Sequence, residues 1–179
     1  MIINKDVGSI LLTEEQIVVR CDEIGKQISK DYADKKPILI ALLKGSVPFL
    51  SELMKHIDID MEIEFMDVSS YAGTQSTGEV KINKDLDRSI KDCDVIIVED
   101  IVDTGRTLKT VKSLLYSKGA KSVKIATLLD KKERRVVEID ADYIGFEIPD
   151  EFVIGFGLDF DQKYRNLPYV GILKEECYK

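Results

Sequence analysis

Two apolar rhythms alternate along the chain, one with a helical period and one made of short buried runs. Thr13-Glu14-Glu15-Gln16 has the form of a capping box, and Ile17, Cys21, Ile24 and Ile28 follow on one helical face, predicting an amphipathic helix to about Lys30. Pro37 to Leu43 is continuously apolar, short enough for a strand buried on both faces, and it stops at Lys44-Gly45. Val47 to about His56 reads as a second helix. Met61 to Val68 alternates with period two, the pattern of a half-buried strand. Ser69 to Gly78 has no apolar period and is rich in Ser, Thr and Gly, so it reads as an exposed, mobile loop before a short strand from Glu79 to Ile82. Asp94 to Val98 is the strongest buried strand. Leu108, Val111, Leu114 and Leu115 then stripe a helix ending near Gly119, and Ser122 to Leu129 is a further strand. Strand, helix and strand between residues 94 and 129 make a βαβ unit with a right-handed crossover. Shorter runs at Tyr143 to Glu147 and Tyr169 to Leu173 predict edge strands or a small cap.

The expected fold is therefore α/β, an open and mostly parallel twisted sheet flanked by helices. The 179 residues, 44% hydrophobic and without a linker or repeat, read as one domain over 1–179. No apolar stretch approaches the ~20 residues of a membrane span, and the N-terminus lacks the basic and apolar regions of an export signal, so a cytoplasmic location is expected. Cys21, Cys93 and Cys177 are widely spaced without CxxC, which supports neither a disulfide framework nor a structural zinc site. Thirty-three acidic against twenty-six basic residues leave a net charge of −7, a poor match to nucleic acid. A small phosphorylated ligand is still open to such a chain, held locally by backbone N–H groups and a few placed cations.

Chemistry concentrates between Val95 and Thr107. An apolar strand runs into Glu99, Asp100 and Asp103, and then into Thr104-Gly105-Arg106-Thr107 at the start of a helix. In open parallel sheets ligands bind at the carboxyl ends of strands, which puts this turn at a site edge. Helix N-terminal N–H groups, two threonine hydroxyls and Gly105 suit a phosphate, Glu99 and Asp100 suit sugar hydroxyls, and Asp103 is left as a proton acceptor. The competing reading is an N-capped helix whose dipole favours acids. Neither GxxxxGK[ST] nor GxGxxG is present.

Val98 to Thr107 resembles the phosphoribosyl pyrophosphate signature of type I phosphoribosyltransferases. Leu43-Lys44-Gly45, Ser70-Tyr71 with Ser76-Thr77-Gly78, Leu128 to Lys131 and Gly145 to Asp159 follow the order found in the hypoxanthine-guanine branch of that family, so the resemblance spans roughly Leu39 to Leu167. It implies a small hood on the sheet. It also implies that Glu99 and Asp100 face the ribose hydroxyls, that Asp103, Thr104, Gly105, Arg106 and Thr107 wrap the 5′-phosphate, and that Asp103 takes the proton of purine N7. Lys44 and Gly45 would form the pyrophosphate loop, with a non-proline cis peptide before the lysine, and Arg165 would join them. Lys131 would donate to the 6-oxo group, Phe152 would stack on the purine, and the backbone of Val153 would read the base edge. Asp159 resembles the magnesium ligand, with Glu99 and Asp100 as further acidic donors, and Ser70 and Tyr71 belong to a polar lid loop.

Apart from the resemblance, each of these residues has a plainer reading. Lys44-Gly45 can be a strand end with a solvated lysine, Lys131-Lys132 a solvated turn, Phe152-Val153 core, and Asp159 and Arg165 surface residues. Asp130 before the purine lysine and Gly157 before Leu158-Asp159 depart from the family pattern. The activity implied is Mg2+-dependent transfer of phosphoribosyl from phosphoribosyl pyrophosphate to N9 of hypoxanthine or guanine, forming IMP or GMP, by a homodimer or homotetramer. The alternatives are transfer to another base, such as xanthine or uracil, and a non-catalytic regulator of the same fold.

Overall fold

A computed structural model of the chain describes residues 4–70 and 80–179. Nine strands and three α-helices follow in the order β1 (Val7–Leu12), α1 (Glu14–Asp31), β2 (Ile38–Leu43), α2 (Val47–Leu53), β3 (Glu62–Ser70), β4 (Val80–Lys84), β5 (Asp94–Val102), α3 (Arg106–Ser117), β6 (Ser122–Asp130), β7 (Tyr143–Glu147), β8 (Val153–Ile154) and β9 (Val170–Leu173). Short 3₁₀ turns at Met54–His56, Lys132–Arg134 and Glu175–Cys177 complete them.

Six strands form the main sheet in the order β4-β3-β2-β5-β6-β7, parallel except where β4 runs antiparallel to β3. The continuous apolar runs of β2 and β5 are explained by burial on both faces. Ile38, Ile40 and Leu42 of β2, with Val95 and Ile97 of β5, pack against Leu108, Val111 and Leu115 of α3. Leu39, Ala41, Ile96 and Val98 point the other way, onto Ile17, Cys21, Ile24 and Ile28 of α1 and Phe49, Leu50 and Leu53 of α2. The predicted capping box is present at Thr13, whose hydroxyl accepts from the Gln16 N–H while the Gln16 side chain accepts from the Thr13 N–H.

The connections position the site. From β2 the chain passes through α2 on one face to β3; from β5 it passes through α3 on the other face to β6. Crossovers of one hand on opposite faces must move in opposite directions, so the strand order reverses between β2 and β5. That switch point opens a crevice at the carboxyl ends of the two strands.

A second sheet, β1-β9-β8, is antiparallel and encloses Val7, Ile154, Tyr169 and Leu173. It is the small hood. β1 carried no periodic signal because register shifts interrupt its pairing with β9, and β8 has only two residues in which to show one. Ser69 and Ser70 extend β3 and pair with Lys81 and Val80, where a loop was expected. The rest of that loop, Tyr71 to Gly78, lies outside the described residues. β5 runs to Val102, four residues past the expected end at Val98, so Glu99 and Asp100 belong to the strand itself.

Candidate active site

Because neighbouring strand residues face opposite ways, Glu99 and Asp100 serve different sides of β5. Glu99 lines a cavity of about 150 Å³ with Asp103, Thr104, Gly105 and Thr107, on the α3 side. Its Oε2 is sealed from solvent and has no hydrogen-bond partner among the described residues. Burial, and then the neighbouring Asp100, push the Glu99 carboxyl well above its ordinary pKa. Asp100 points towards the α2 side, where its Oδ2 lies against Gly45; a Cβ on Gly45 would come within 1.6 Å of it. Burial raises Asp100 to about 6, although the Ile101 N–H, donating to Oδ1 at 2.7 Å, and the Arg165 charge both favour its ionised form.

Helix α3 starts without a capping side chain. Its N-cap is Gly105, at φ +81°, where a Cβ would also meet Ile139 Cγ2 at 2.5 Å, and no acid occupies the first turn. The acids that could have been attributed to the helix dipole are thus strand and turn residues instead. What remains at the cavity is a helix N-terminus beside threonine side chains and a carboxyl oxygen without a partner among the described residues, donors that suit an anion next to an acceptor that suits a hydroxyl.

Across the crevice the Leu43–Lys44 peptide is cis, as the resemblance implied. The Gly45 carbonyl oxygen presses on Gly157, leaving no room for a Cβ there. Arg165 Nη1 donates to the Gly157 carbonyl at 2.7 Å, and Arg165 Nη2 pairs with Asp159 Oδ1 at 2.8 Å. Lys44, Gly45, Asp159 and Arg165, dispersed in sequence, therefore meet around Asp100. Gly45, Asp159 and Arg165 are not separate surface residues, whereas the Lys44 side chain is exposed, as the strand-end reading has it.

The third side is built from the end of β6 and the turn after it. Val102 pairs in register with Asp130, and the Lys131 N–H donates to the Val102 carbonyl at 2.9 Å, which places Asp103 and Lys131 at adjacent strand ends. Lys131 is only 9% exposed, and its Nζ donates to the Glu151 carbonyl at 2.7 Å and to Asp150 Oδ1 at 3.2 Å. The solvated-turn reading applies to Lys132, which pairs with Glu147 at the surface. Phe152 and Val153 divide similarly: Val153 is buried in the core, whereas Phe152 is 38% exposed. One Phe152 face stacks on Tyr178, with centroids 4.8 Å apart and planes at 20°.

Four participants, Arg134, Arg135, Asp150 and Tyr178, carried no signal in the sequence. Arg134 Nε donates to Asp103 Oδ1 at 2.9 Å and its Nη1 to Asp150 Oδ2 at 3.3 Å. Arg135 donates to the Asp103 carbonyl and pairs with the buried Asp130. Lys132-Glu133-Arg134-Arg135 reads as a solvated charge run, and only the 3₁₀ turn separates its inward from its outward members. Tyr178 lies beyond β9, just past the 3₁₀ turn Glu175–Cys177, in a stretch with no apolar period.

Glu99, Asp100 and Asp159 are the acidic donors available to Mg2+. Among the described residues no three His, Cys, Asp or Glu side chains converge as a metal cage. A magnesium ion that binds through one or two carboxylates together with substrate phosphates and waters needs no such cage.

A six-stranded, mostly parallel sheet with a cavity at the turn beside its switch point, and a second small antiparallel sheet, defines an open α/β protein of the kind that binds ligands at the carboxyl ends of its strands. A family model of the phosphoribosyl transferase domain matches residues 8–161, and the chain belongs to that family. It is 57% identical over 177 residues to the hypoxanthine-guanine phosphoribosyltransferase of Streptococcus thermophilus and 56% identical to that of Streptococcus mutans, covering 98% of both partners in each case. A hypoxanthine phosphoribosyltransferase structure from Staphylococcus aureus superposes with a TM-score of 0.95 at 54% identity, over 97% of this chain and 95% of that one. A hypoxanthine-guanine phosphoribosyltransferase from Bacillus anthracis gives a TM-score of 0.91 at 43% identity, over 94% and 99%.

Proposed function

We propose that the chain transfers the 5-phosphoribosyl group from phosphoribosyl pyrophosphate to N9 of hypoxanthine or guanine, releasing pyrophosphate and IMP or GMP in purine salvage. The observation that carries this reading is Glu99, which lines a cavity together with the side-chain-uncapped N-terminus of α3 and keeps one carboxyl oxygen without a partner among the described residues. A buried polar atom left unsatisfied is costly, and a ribose hydroxyl donating to it would remove that cost.

In this reading Asp103 to Thr107 hold the 5′-phosphate, while Glu99 and Asp100 accept from the ribose hydroxyls. N9 forms a bond to the anomeric carbon as the bond to pyrophosphate breaks, the leaving oxygen keeping the electron pair. Asp103 takes the proton from N7, Lys131 donates its remaining N–H to the 6-oxo oxygen, and Phe152 covers one purine face. Lys44, Gly45 N–H and Arg165 stabilise charge on the departing pyrophosphate. Asp159, with Asp100 and Glu99, would hold Mg2+, which when bound supplies charge neutralisation for the pyrophosphate. Ser70 and Tyr71 would bring the polar loop over the reacting ribose and exclude water.

The test is pyrophosphate release from phosphoribosyl pyrophosphate and Mg2+ with hypoxanthine, guanine, xanthine, adenine or uracil. Release with hypoxanthine and guanine is expected. Release with adenine or uracil alone, or with no base, would overturn the assignment.

A further inference from the structure

The groups assigned to the two ends of the purine edge are joined by charge. From Asp103 the chain of contacts runs to Arg134, from Arg134 to Asp150, and from Asp150 to Lys131. Asp150 offers one oxygen to each cation, Oδ1 to Lys131 and Oδ2 to Arg134.

These pairs contribute little to stability. The side chains of Asp103, Arg134 and Asp150 are 43%, 46% and 46% exposed, and solvent screens ion pairs at such exposure. Their geometry is more consequential. A carboxylate has two oxygens, so Arg134 on Oδ1 of Asp103 leaves Oδ2 to accept a proton. An ammonium has three donors, and Asp150 with the Glu151 carbonyl engages two of those on Lys131. The third is left for the ligand. N7 and the 6-oxo oxygen are neighbours on one edge of a 6-oxopurine, so the spacing of Asp103 and Lys131 must match that edge. Backbone register brings the two residues together, but the Lys131 stem is long and the Asp103 carboxylate is half exposed and free to rotate, so the backbone alone does not fix the spacing of their heads.

We propose that Arg134 and Asp150 are positioning residues that brace Asp103 and Lys131 at the spacing of a 6-oxopurine edge. Arg134 suits this work because its guanidinium is a planar fork whose donors keep a fixed separation, which a lysine ammonium lacks. The proposal rests on the transferase reading above and adds to it a determinant of base use that never touches the base.

The experiment compares the parent enzyme with Arg134→Gln, Arg134→Lys, Asp150→Asn and the Arg134→Gln/Asp150→Asn double variant. Steady-state kinetics with hypoxanthine are combined with calorimetric binding of phosphoribosyl pyrophosphate in Mg2+ and with melting temperatures. Arg134→Gln should lower kcat/KM for hypoxanthine about 10- to 100-fold, the loss that a misplacement near 1 Å produces. Affinity for phosphoribosyl pyrophosphate should stay within about twofold, and melting within about 4 °C, because half-exposed pairs hold little stability. Arg134→Lys should remain as impaired as Arg134→Gln, since charge without the fork cannot span two carboxylates. Asp150→Asn should show the same kind of loss, and the double variant should be no worse than the poorer single one, as members of one brace are not additive. Parent-like kcat/KM in Arg134→Gln, full rescue by lysine, independent multiplication of the two losses, or a parallel loss of phosphoribosyl pyrophosphate affinity would each overturn the brace. A parent enzyme that releases no pyrophosphate with hypoxanthine would instead overturn the transferase reading itself.

Discussion

The phosphoribosyl half of the site and its purine half are built on opposite electrostatic plans. At Glu99 and Asp100, on opposite sides of β5, the carboxyls are withdrawn from solvent and raised in pKa, and Glu99 Oε2 has no partner among the described residues. Around Lys131 the acids are paired: Asp150 and Asp103 each meet a cation at half exposure, and burial of Asp130 is compensated by Arg135. The first half is left unsatisfied in a way that a hydroxyl-rich ligand would relieve. The second is mostly paired internally, Asp130 Oδ2 apart, so its contribution is to hold groups at fixed places, and changes there should show in geometry before they show in affinity for phosphate.

Asp103 stands at the join, lining the cavity on one side and paired with Arg134 on the other. Asp103→Asn should therefore keep its shape in both halves, and an amide oxygen that can still accept from Arg134, while losing its negative charge and its capacity to accept a proton. Turnover should fall about 100- to 10,000-fold, the usual worth of a positioned general base, with phosphoribosyl pyrophosphate binding retained. Parent turnover in this variant would remove Asp103 from the chemistry and separate the two halves into unrelated features.

Arg135→Leu attacks the paired plan directly. Asp130 is 1% exposed and its Oδ2 has no partner among the described residues, so the Arg135 guanidinium is its principal compensation. Removing one member of such a buried pair costs about 3 to 5 kcal/mol, whereas replacing both by apolar groups is often neutral. Chemical denaturation should show that loss for Arg135→Leu and most of it recovered in Arg135→Leu/Asp130→Leu. An Arg135→Leu protein as stable as the parent would mean that Asp130 is accommodated by other means.

The unpaired half predicts the opposite sign. A carboxyl whose pKa is raised on folding binds its proton more tightly in the folded chain, so its contribution is fully present below the unfolded value near about 4 and is lost as pH rises through the folded value. For Asp100 that window ends at about 6, and Glu99 extends it upward. Glu99→Gln removes one of these ionisations and should raise the melting temperature of the ligand-free protein at about pH 7.5 by about 2 to 4 °C, the shift that about 1 kcal/mol produces at this chain length. The gain should shrink as pH is lowered, because the raised carboxyl of the parent takes up its proton before an ordinary glutamate does, and the variant should bind phosphoribosyl pyrophosphate more weakly. A variant less stable than the parent at the higher pH would show that Glu99 is not a strained acid.

The same contrast decides what could be read from the sequence. The phosphoribosyl half is local: Glu99 to Thr107 is one strand, one turn and one helix start, so its residues are contiguous and its chemistry is legible where it stands. The centre of the main sheet was legible for a related reason, since β2 and β5 are buried on both faces and write continuous apolar runs. The purine half depends on where a 3₁₀ turn aims Lys131, Arg134 and Arg135, three cations in a run whose composition is that of a solvated surface. Only the family resemblance singled out Lys131, and nothing singled out Arg134, Arg135 or Asp150. β1 was missed because irregular pairing with β9 broke its alternation.

The smallest expected effect concerns Tyr178, which extends the purine half to the end of the chain. Its ring stacks on Phe152, while Phe160 meets the same ring edge-on at 5.5 Å, so Phe152 is held on more than one side although it is 38% exposed. A ring braced this way offers its remaining face to a purine at little cost in side-chain freedom, and aromatic pairs are worth about 0.5 to 1.5 kcal/mol beyond their buried area. Tyr178→Ala should accordingly raise KM for hypoxanthine about 2- to 10-fold with kcat nearly unchanged, and Tyr178→Phe should behave as the parent because stacking needs the ring and not the hydroxyl. The opposite sign carries equal information. If Tyr178→Ala lowers KM, the tyrosine occupies the face that the purine needs, and the purine half would then be closed by its own C-terminus until a base displaces it.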